Sequence, residues 1–311
     1  MRDAFVRVLT EIARADKNVM LLTGDLGFGV LTKFAEELPR QYLNVGVAEQ
    51  NMTGVATGLA LEGKTVFTYS IGNFPTLRCL EQIRNDVCYH NANVKIVSIG
   101  GGFCYGALGI SHHATEDLAI MRALPNLTVV APGDLTETAL ATKAIYATPG
   151  PCYLRLGRGG EPNVHLDHPA YAIGKGIPLF TEGDVALLSI GGILDNAIKA
   201  RTILELQGIR TCVYSMHSLQ PLDIDLIKCV SLSSKLIATI EEHSIVGGLG
   251  GAVAEVLAEL SSPRPPLVRI GLTAGFSCVV GDQEYLREVY GLSPDAIANR
   301  VQDAMRRMHI S

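Results

Sequence analysis

One carboxylate stands out in the stretch Asn44-Val45-Gly46-Val47-Ala48-Glu49-Gln50-Asn51-Met52. Glu49 falls between an apolar extended run and a helix built on small residues. That is the edge at which open α/β sheets bind ligands. Two readings are open to it. It is a charge at a helix N-terminus, or it is a carboxylate that meets a ligand at that edge. His112 and His113 follow Gly109-Ile110-Ser111. An imidazole there can donate to a developing oxyanion or shuttle a proton near neutral pH. No metal site is expected, because no further His or Cys lies at ligand spacing. Arg155 and Arg158 close another extended run beside Gly157, Gly159 and Gly160. Their donor forks suit a phosphate or carboxylate, and equally a structural salt bridge.

Alternating extended and helical segments must position these groups. The pattern predicts an α/β protein with two consecutive parallel-sheet domains. Asp3 is placed to cap a first helix with Phe5, Val8, Leu9 and Ile12 on one face. Strands are expected at 19–22, 43–47, 65–70, 94–99, 127–130 and 153–156, with a small-residue helix through Gly54, Ala56, Gly58 and Ala60 and another helix over 76–89. Gly and Pro crowd residues 157–178, so the first domain is set at 1–165, a linker at 166–180 and a second domain at 181–311. Strands in the second domain are expected at 185–190, 211–216, 235–240 and 267–270. The pair Glu241-Glu242 would repel a phosphate, so the nearby Gly247 to Gly251 run reads as strand–helix packing.

Composition narrows the classes. Hydrophobic residues make up 48% and charged residues 18% of 311, and the net charge is −5 with no basic run, so no nucleic-acid face is expected. No apolar stretch reaches spanning length, so no membrane segment is expected. Seven cysteines lack any CxxC pairing and read as thiols in a reducing compartment, which places the chain in the cytoplasm.

The texts "VGVAEQNM", "LEQIRNDV" and "SHHATEDLAIMRALPNLTVVAPGD" occur in order. Together they resemble the transketolase family, specifically its pyrimidine-binding and C-terminal domains. The resemblance implies a thiamine-diphosphate enzyme in which Glu49 hydrogen-bonds N1′ of the cofactor's aminopyrimidine and so favours the imino tautomer, a role that needs a neutral carboxyl in an apolar place, with which Val45, Val47 and Ala48 agree. It also implies that Phe74 lies against the pyrimidine face, with Ile71 where the family has a second aromatic residue. Ser111-His112 matches a Thr-His pair whose histidine faces the substrate, with His113 beside it, and Arg158 matches a substrate-phosphate arginine. The family has a histidine, an acidic residue and a serine where this chain has Gly100, Ala107-Leu108 and Gly29.

Gly24-Asp25-Leu26-Gly27 looks like the Gly-Asp-Gly…Asn motif that holds diphosphate and Mg²⁺, but Leu26 spoils its turn. The expectation is therefore the smaller subunit of a split enzyme that transfers a two-carbon ketol unit from a ketose to an aldehyde. An N-terminal partner would carry the true motif and the Mg²⁺. The subunit would pair with itself about a two-fold and assemble as a heterotetramer. The alternatives are a deoxyxylulose-phosphate synthase-like or 2-oxoacid dehydrogenase-like subunit, or a non-catalytic stabilising partner.

Overall fold

The structure, a computed structural model, describes residues 1–261, 264–273 and 275–308. In the first half the order is α1 (Arg2–Ala15), β1 (Val19–Thr23), α2 (Thr32–Glu37), β2 (Tyr42–Asn44), α3 (Glu49–Leu61), β3 (Thr65–Ile71), α4 (Leu80–Gln82), β4 (Val94–Ile99), α5 (Asp117–Arg122), β5 (Thr128–Val130), α6 (Leu135–Ala147) and β6 (Cys152–Leu156). In the second half it is β7 (Ile177–Phe180), β8 (Val185–Ile190), α7 (Leu194–Leu206), β9 (Thr211–Ser215), β10 (Ser218–Gln220), α8 (Ile224–Ser233), β11 (Leu236–Ser244), α9 (Leu249–Glu259), β12 (Leu267–Leu272), α10 (Gln283–Val289) and α11 (Pro294–Arg307).

Two mostly parallel sheets result. The first has seven strands in the order β10-β5-β6-β4-β3-β1-β2, and the second has five in the order β12-β11-β8-β9-β7. The central strands β4 and β8 are buried at every position, as Val-, Ile- and Leu-rich strands covered on both faces should be, and they bury Lys95, Ser98 and Ser189 as well. Helix α1 buries Phe5, Val8, Leu9 and Ala13 on the expected face, but Met1 holds the N-cap position and Asp3 lies in the first turn.

Other departures have local causes. The 76–89 helix is an assembly of short pieces: a 3₁₀ turn over Leu77–Cys79, then α4, then a π-helical turn over Ile83–Cys88. Strand β2 stops at Asn44, whose Oδ1 accepts the amides of Asp25 and Gly46 and turns the chain.

The domain boundary is less simple than expected. Strand β7 lies in the span assigned to the linker and pairs antiparallel with β9. Strand β10, from the second half, pairs antiparallel with β5 and closes one edge of the first sheet. Each of these strands is only three or four residues long, too short to show a period.

Candidate active site

Helix α3 starts with Glu49 in its first turn, and no side chain caps it. It ends through Gly63, whose φ of 86° suits the residue after a helix C-cap. Glu49 is 2% exposed, so its carboxyl is held at the sheet edge away from water. Its environment differs from the wholly apolar one expected. Val47 is exposed, and Arg78 Nη1 donates to Glu49 Oε2 at 2.8 Å. The same guanidinium lies 4.7 Å from the centroid of the Phe74 ring. Glu49 and Phe74, which are 25 positions apart in the numbering, thus share one planar nitrogen group. The residues therefore fit an aminopyrimidine, which is also a flat nitrogen base needing a ring below it and a carboxyl at its edge. Ile71 ends β3, and its carbonyl accepts the Phe74 amide at 2.9 Å, which fixes the turn that presents the ring.

The Phe74 turn is tied to the histidine loop, since Asn73 Nδ2 donates to the His113 carbonyl at 2.9 Å. The His112 ring meets Phe74 edge-on at 5.2 Å. Ser111 Oγ lies 3.0 Å from His112 Nδ1; with the hydroxyl donating, the ring proton sits on Nε2. Burial, aided by the neighbouring His113, lowers the His112 pKa below the ordinary histidine value. His112 is therefore neutral at pH 7, able to give a proton from one nitrogen or accept one at the other.

Two expected substrate contacts are corrected. His113 is 1% exposed, its Nε2 donates to the Gly106 carbonyl at 3.0 Å, and its ring packs edge-on against Phe103. It supports the loop and is closed off from solvent. Arg155 is 5% exposed, and its donors are spent on Asp117 Oδ2 at 2.8 Å and on the carbonyls of Ala114 and Glu242. It is the structural salt bridge of the two readings. Arg158 is exposed, and its guanidinium carbon lies 5.6 Å from the Tyr105 ring centroid.

The sequence reading missed Arg78 and Arg2. Arg78 lies one turn past Phe74, just before the matched text "LEQIRNDV", and its spacing to Phe74 was the available signal. Arg2 is far away in sequence, yet its charge is felt by Tyr105 and its Nη2 lies 3.9 Å from where a β-carbon on Gly159 would be.

Asp134, Glu137 and His165 also lie together. Their carboxylates are already filled by the protein. Asp134 accepts the amides of Glu137, Val164 and His165. Glu137 accepts the Gly133 amide and the Ser215 hydroxyl and faces His165 Nε2 at 2.7 Å. They clasp the two domains together.

The site is thus a carboxyl and an aromatic ring at the edge of a doubly wound sheet, followed by a second, mostly parallel domain. Residues 1–161 match the transketolase pyrimidine binding domain, and residues 174–297 match the transketolase C-terminal domain. The chain belongs to the transketolase family. It is 38% identical over 310 residues to a putative transketolase C-terminal section of Methanocaldococcus jannaschii, covering 99% of this chain and 96% of that protein. It is 35% identical to one subunit of an apulose-4-phosphate transketolase of Phocaeicola vulgatus, covering 98% and 97% respectively. Among solved structures, a split-gene transketolase in an inactive beta4 tetramer superposes with a TM-score of 0.89 at 37% identity, over 98% of each chain. The chain is the C-terminal subunit of a split transketolase-like enzyme, a thiamine-diphosphate-dependent transferase that moves a two-carbon ketol unit from a ketose donor to an aldehyde acceptor.

Proposed function

We propose that this chain supplies the pyrimidine half of a shared active site, and that an N-terminal partner with a Gly-Asp-Gly…Asn motif holds the diphosphate and its Mg²⁺. Within this chain Asp25 is engaged elsewhere, its Oδ1 accepting Asn44 Nδ2 at 3.0 Å. Two copies of each subunit would make the working assembly, with the pyrimidine domains paired about a two-fold. The seven free thiols support a reducing, cytoplasmic setting.

When bound, thiamine diphosphate supplies the carbon nucleophile that takes up the ketol unit. Glu49 holds a proton at the pyrimidine N1′, and Phe74 and Ile71 form the floor that orients the ring. His112 stands beside Phe74 and moves a proton at the donor's hydroxyl or carbonyl oxygen, a role its neutral imidazole suits. Arg158, with Arg2 nearby, offers cationic donors to an anionic sugar end. The sugar phosphate named for the Phocaeicola vulgatus relative agrees with that class. Ala107, Leu108, Gly100 and Gly29 replace the polar residues of the family, so ordinary pentose and hexose phosphates are not the favoured substrates.

The observation that carries this reading is the guanidinium shared by Glu49 and Phe74. Glu49→Gln keeps the shape of the side chain and removes its acidic proton. In the co-purified assembly it lowers turnover by roughly 10²–10⁴-fold, the usual worth of a positioned acid. It also slows hydrogen exchange at the reactive carbon of the bound cofactor. Exchange at the wild-type rate would reduce Glu49 to a helix-end charge.

A further inference from the structure

We propose that Tyr105 is a substrate-contacting residue that takes over the place of the missing family histidine and, with Arg158, sets which ketoses the site accepts. This rests on the transketolase reading above. At Gly100 the backbone has φ of 91°, and a β-carbon there would overlap the Tyr105 ring. A side chain at position 100 and the ring of Tyr105 therefore exclude each other. Where the family pattern has a histidine, this chain has a glycine, and the vacated space holds a phenol. The neighbouring glycines serve in the same way, since β-carbons at Gly101 and Gly102 would collide with Arg155 and Glu242. Of the three groups, Tyr105 alone is half-buried rather than buried. Arg155 and Glu242 are fully engaged in ion pairs, with Asp117 and Arg287.

The placement of Tyr105 fits a contact to the donor's hydroxylated tail. The rings of Phe74, His112 and Tyr105 form a row, with centroid separations of 5.2 Å and 6.2 Å, and Arg158 lies over the last of them. The row runs from the pyrimidine floor, past the proton-moving imidazole, to the anion-binding end. Tyr105 is half-buried, and among the described residues its hydroxyl has no hydrogen-bond partner. Burial raises its pKa above the usual tyrosine value, against the opposing pull of Arg2 and Arg158. The phenol is thus neutral across the working range and can both donate to and accept from a sugar hydroxyl. The ligand class is a polyhydroxylated ketose with an anionic end.

The test uses the assembly of this chain with its partner, loaded with cofactor. β-Hydroxypyruvate serves as a donor that has the ketol unit but no tail, and xylitol 5-phosphate serves as a tail probe without a carbonyl, measured by its inhibition of β-hydroxypyruvate turnover. Tyr105→Phe should weaken xylitol 5-phosphate by about tenfold, the scale of one lost hydrogen bond. The effect on kcat/KM for β-hydroxypyruvate should be smaller, with an unchanged melting temperature as a check on folding. Gly100→Ala should displace the ring and cause a similar loss, and adding Tyr105→Phe to it should cost little more. Equal inhibition of wild type and Tyr105→Phe, no inhibition of wild type, or additive losses in the double variant would each overturn the role of Tyr105. Absence of β-hydroxypyruvate turnover in the wild-type assembly would instead count against the transketolase reading.

Discussion

Two regions of this chain are dense in ionisable side chains, and they treat them in opposite ways. In the seam between the domains, Asp117 accepts from Tyr153 and Arg155, Glu241 accepts the amides of Leu249 and Gly250, and Glu242 pairs with Arg287. Nearly every donor there has a protein acceptor, and the groups are buried. At the sheet edge, Glu49 has one partner, which is itself exposed, and His112, Tyr105 and Arg158 are half-buried or exposed, with few partners or none among the described residues. A buried cluster whose donors are spent has little bonding capacity left for a ligand, even though Asp117 Oδ1 keeps no partner of its own, whereas an exposed cluster with few bonds has more. Charge density alone did not separate the two regions, and the inventory of bonds did.

The sharpest way to break this contrast is at Arg155, which the sequence could equally have placed on a substrate. Removing one partner of a buried ion pair strands the other charge and costs about 3–5 kcal/mol. Arg155→Met should therefore lower stability by that order through the stranded Asp117, as a large fall in the urea midpoint. Arg158→Met should leave the midpoint nearly unchanged and raise KM for anionic donors. If Arg155→Met retained full stability and lost only substrate affinity, the seam would have to be redrawn as part of the site.

The seam also makes a prediction about pH. Burial pushes the His243 imidazole down to about 4. The unfolded chain then binds a proton between pH 6.5 and 4 that the folded chain refuses, so this group's contribution to stability is lost as pH falls through that window. Burial pushes the Glu241 carboxyl up to about 7, despite the two amides that favour its charged form. Here the folded chain holds a proton that the unfolded one releases, so this contribution is present at low pH and lost as pH rises from about 4.5 to 7. The two slopes oppose each other, and between about pH 4.5 and 6.5 the wild type should be nearly flat, each slope being worth roughly 3 kcal/mol at full titration. His243→Gln should leave stability falling with rising pH, and Glu241→Gln should leave it falling with declining pH. Chemical denaturation at several pH values would show both. Parallel slopes in the two variants would mean that the pair titrates as one unit.

Much of this architecture was legible in the sequence, and the failures have physical reasons. The strand at 185–190 was read to the residue because a run buried on both faces is nearly all apolar, Ser189 being the exception. Strands β7 and β10 were not found, since they are antiparallel edge pieces defined by their partners rather than by their own pattern. Glu49 and His112 were singled out in motif text and Phe74 by its place after the third strand, and the structure sets the three side by side, with Arg78 between Glu49 and Phe74. Arg155 and His113 stayed open between ligand and structural roles because residue type tells what a side chain can bond, not whether those bonds are already made. The Tyr105 contact was hidden for a related reason. A glycine at position 100 looks like a lost function until the side chain that fills its space is seen.

The smallest effect predicted concerns Arg78, where the two regions' rules meet. Its guanidinium bonds to buried Glu49 and stacks on Phe74, yet its side chain is 46% exposed. An ion pair with one exposed member contributes about 1 kcal/mol or less. A pyrimidine that used both the carboxyl and the ring would compete with the guanidinium for them. The guanidinium has to swing out, and its exposure leaves it room to do so. Arg78→Met removes that competition. In the assembled enzyme the dissociation constant of the cofactor should fall by roughly fivefold, which is the same free energy expressed as affinity. The variant should also still respond to Glu49→Gln in turnover. Titration of the cofactor-free assembly, followed by circular dichroism, would give the constant directly. Weaker binding in Arg78→Met would mean that the guanidinium moves aside only a little and remains a ligand of the bound cofactor or donor.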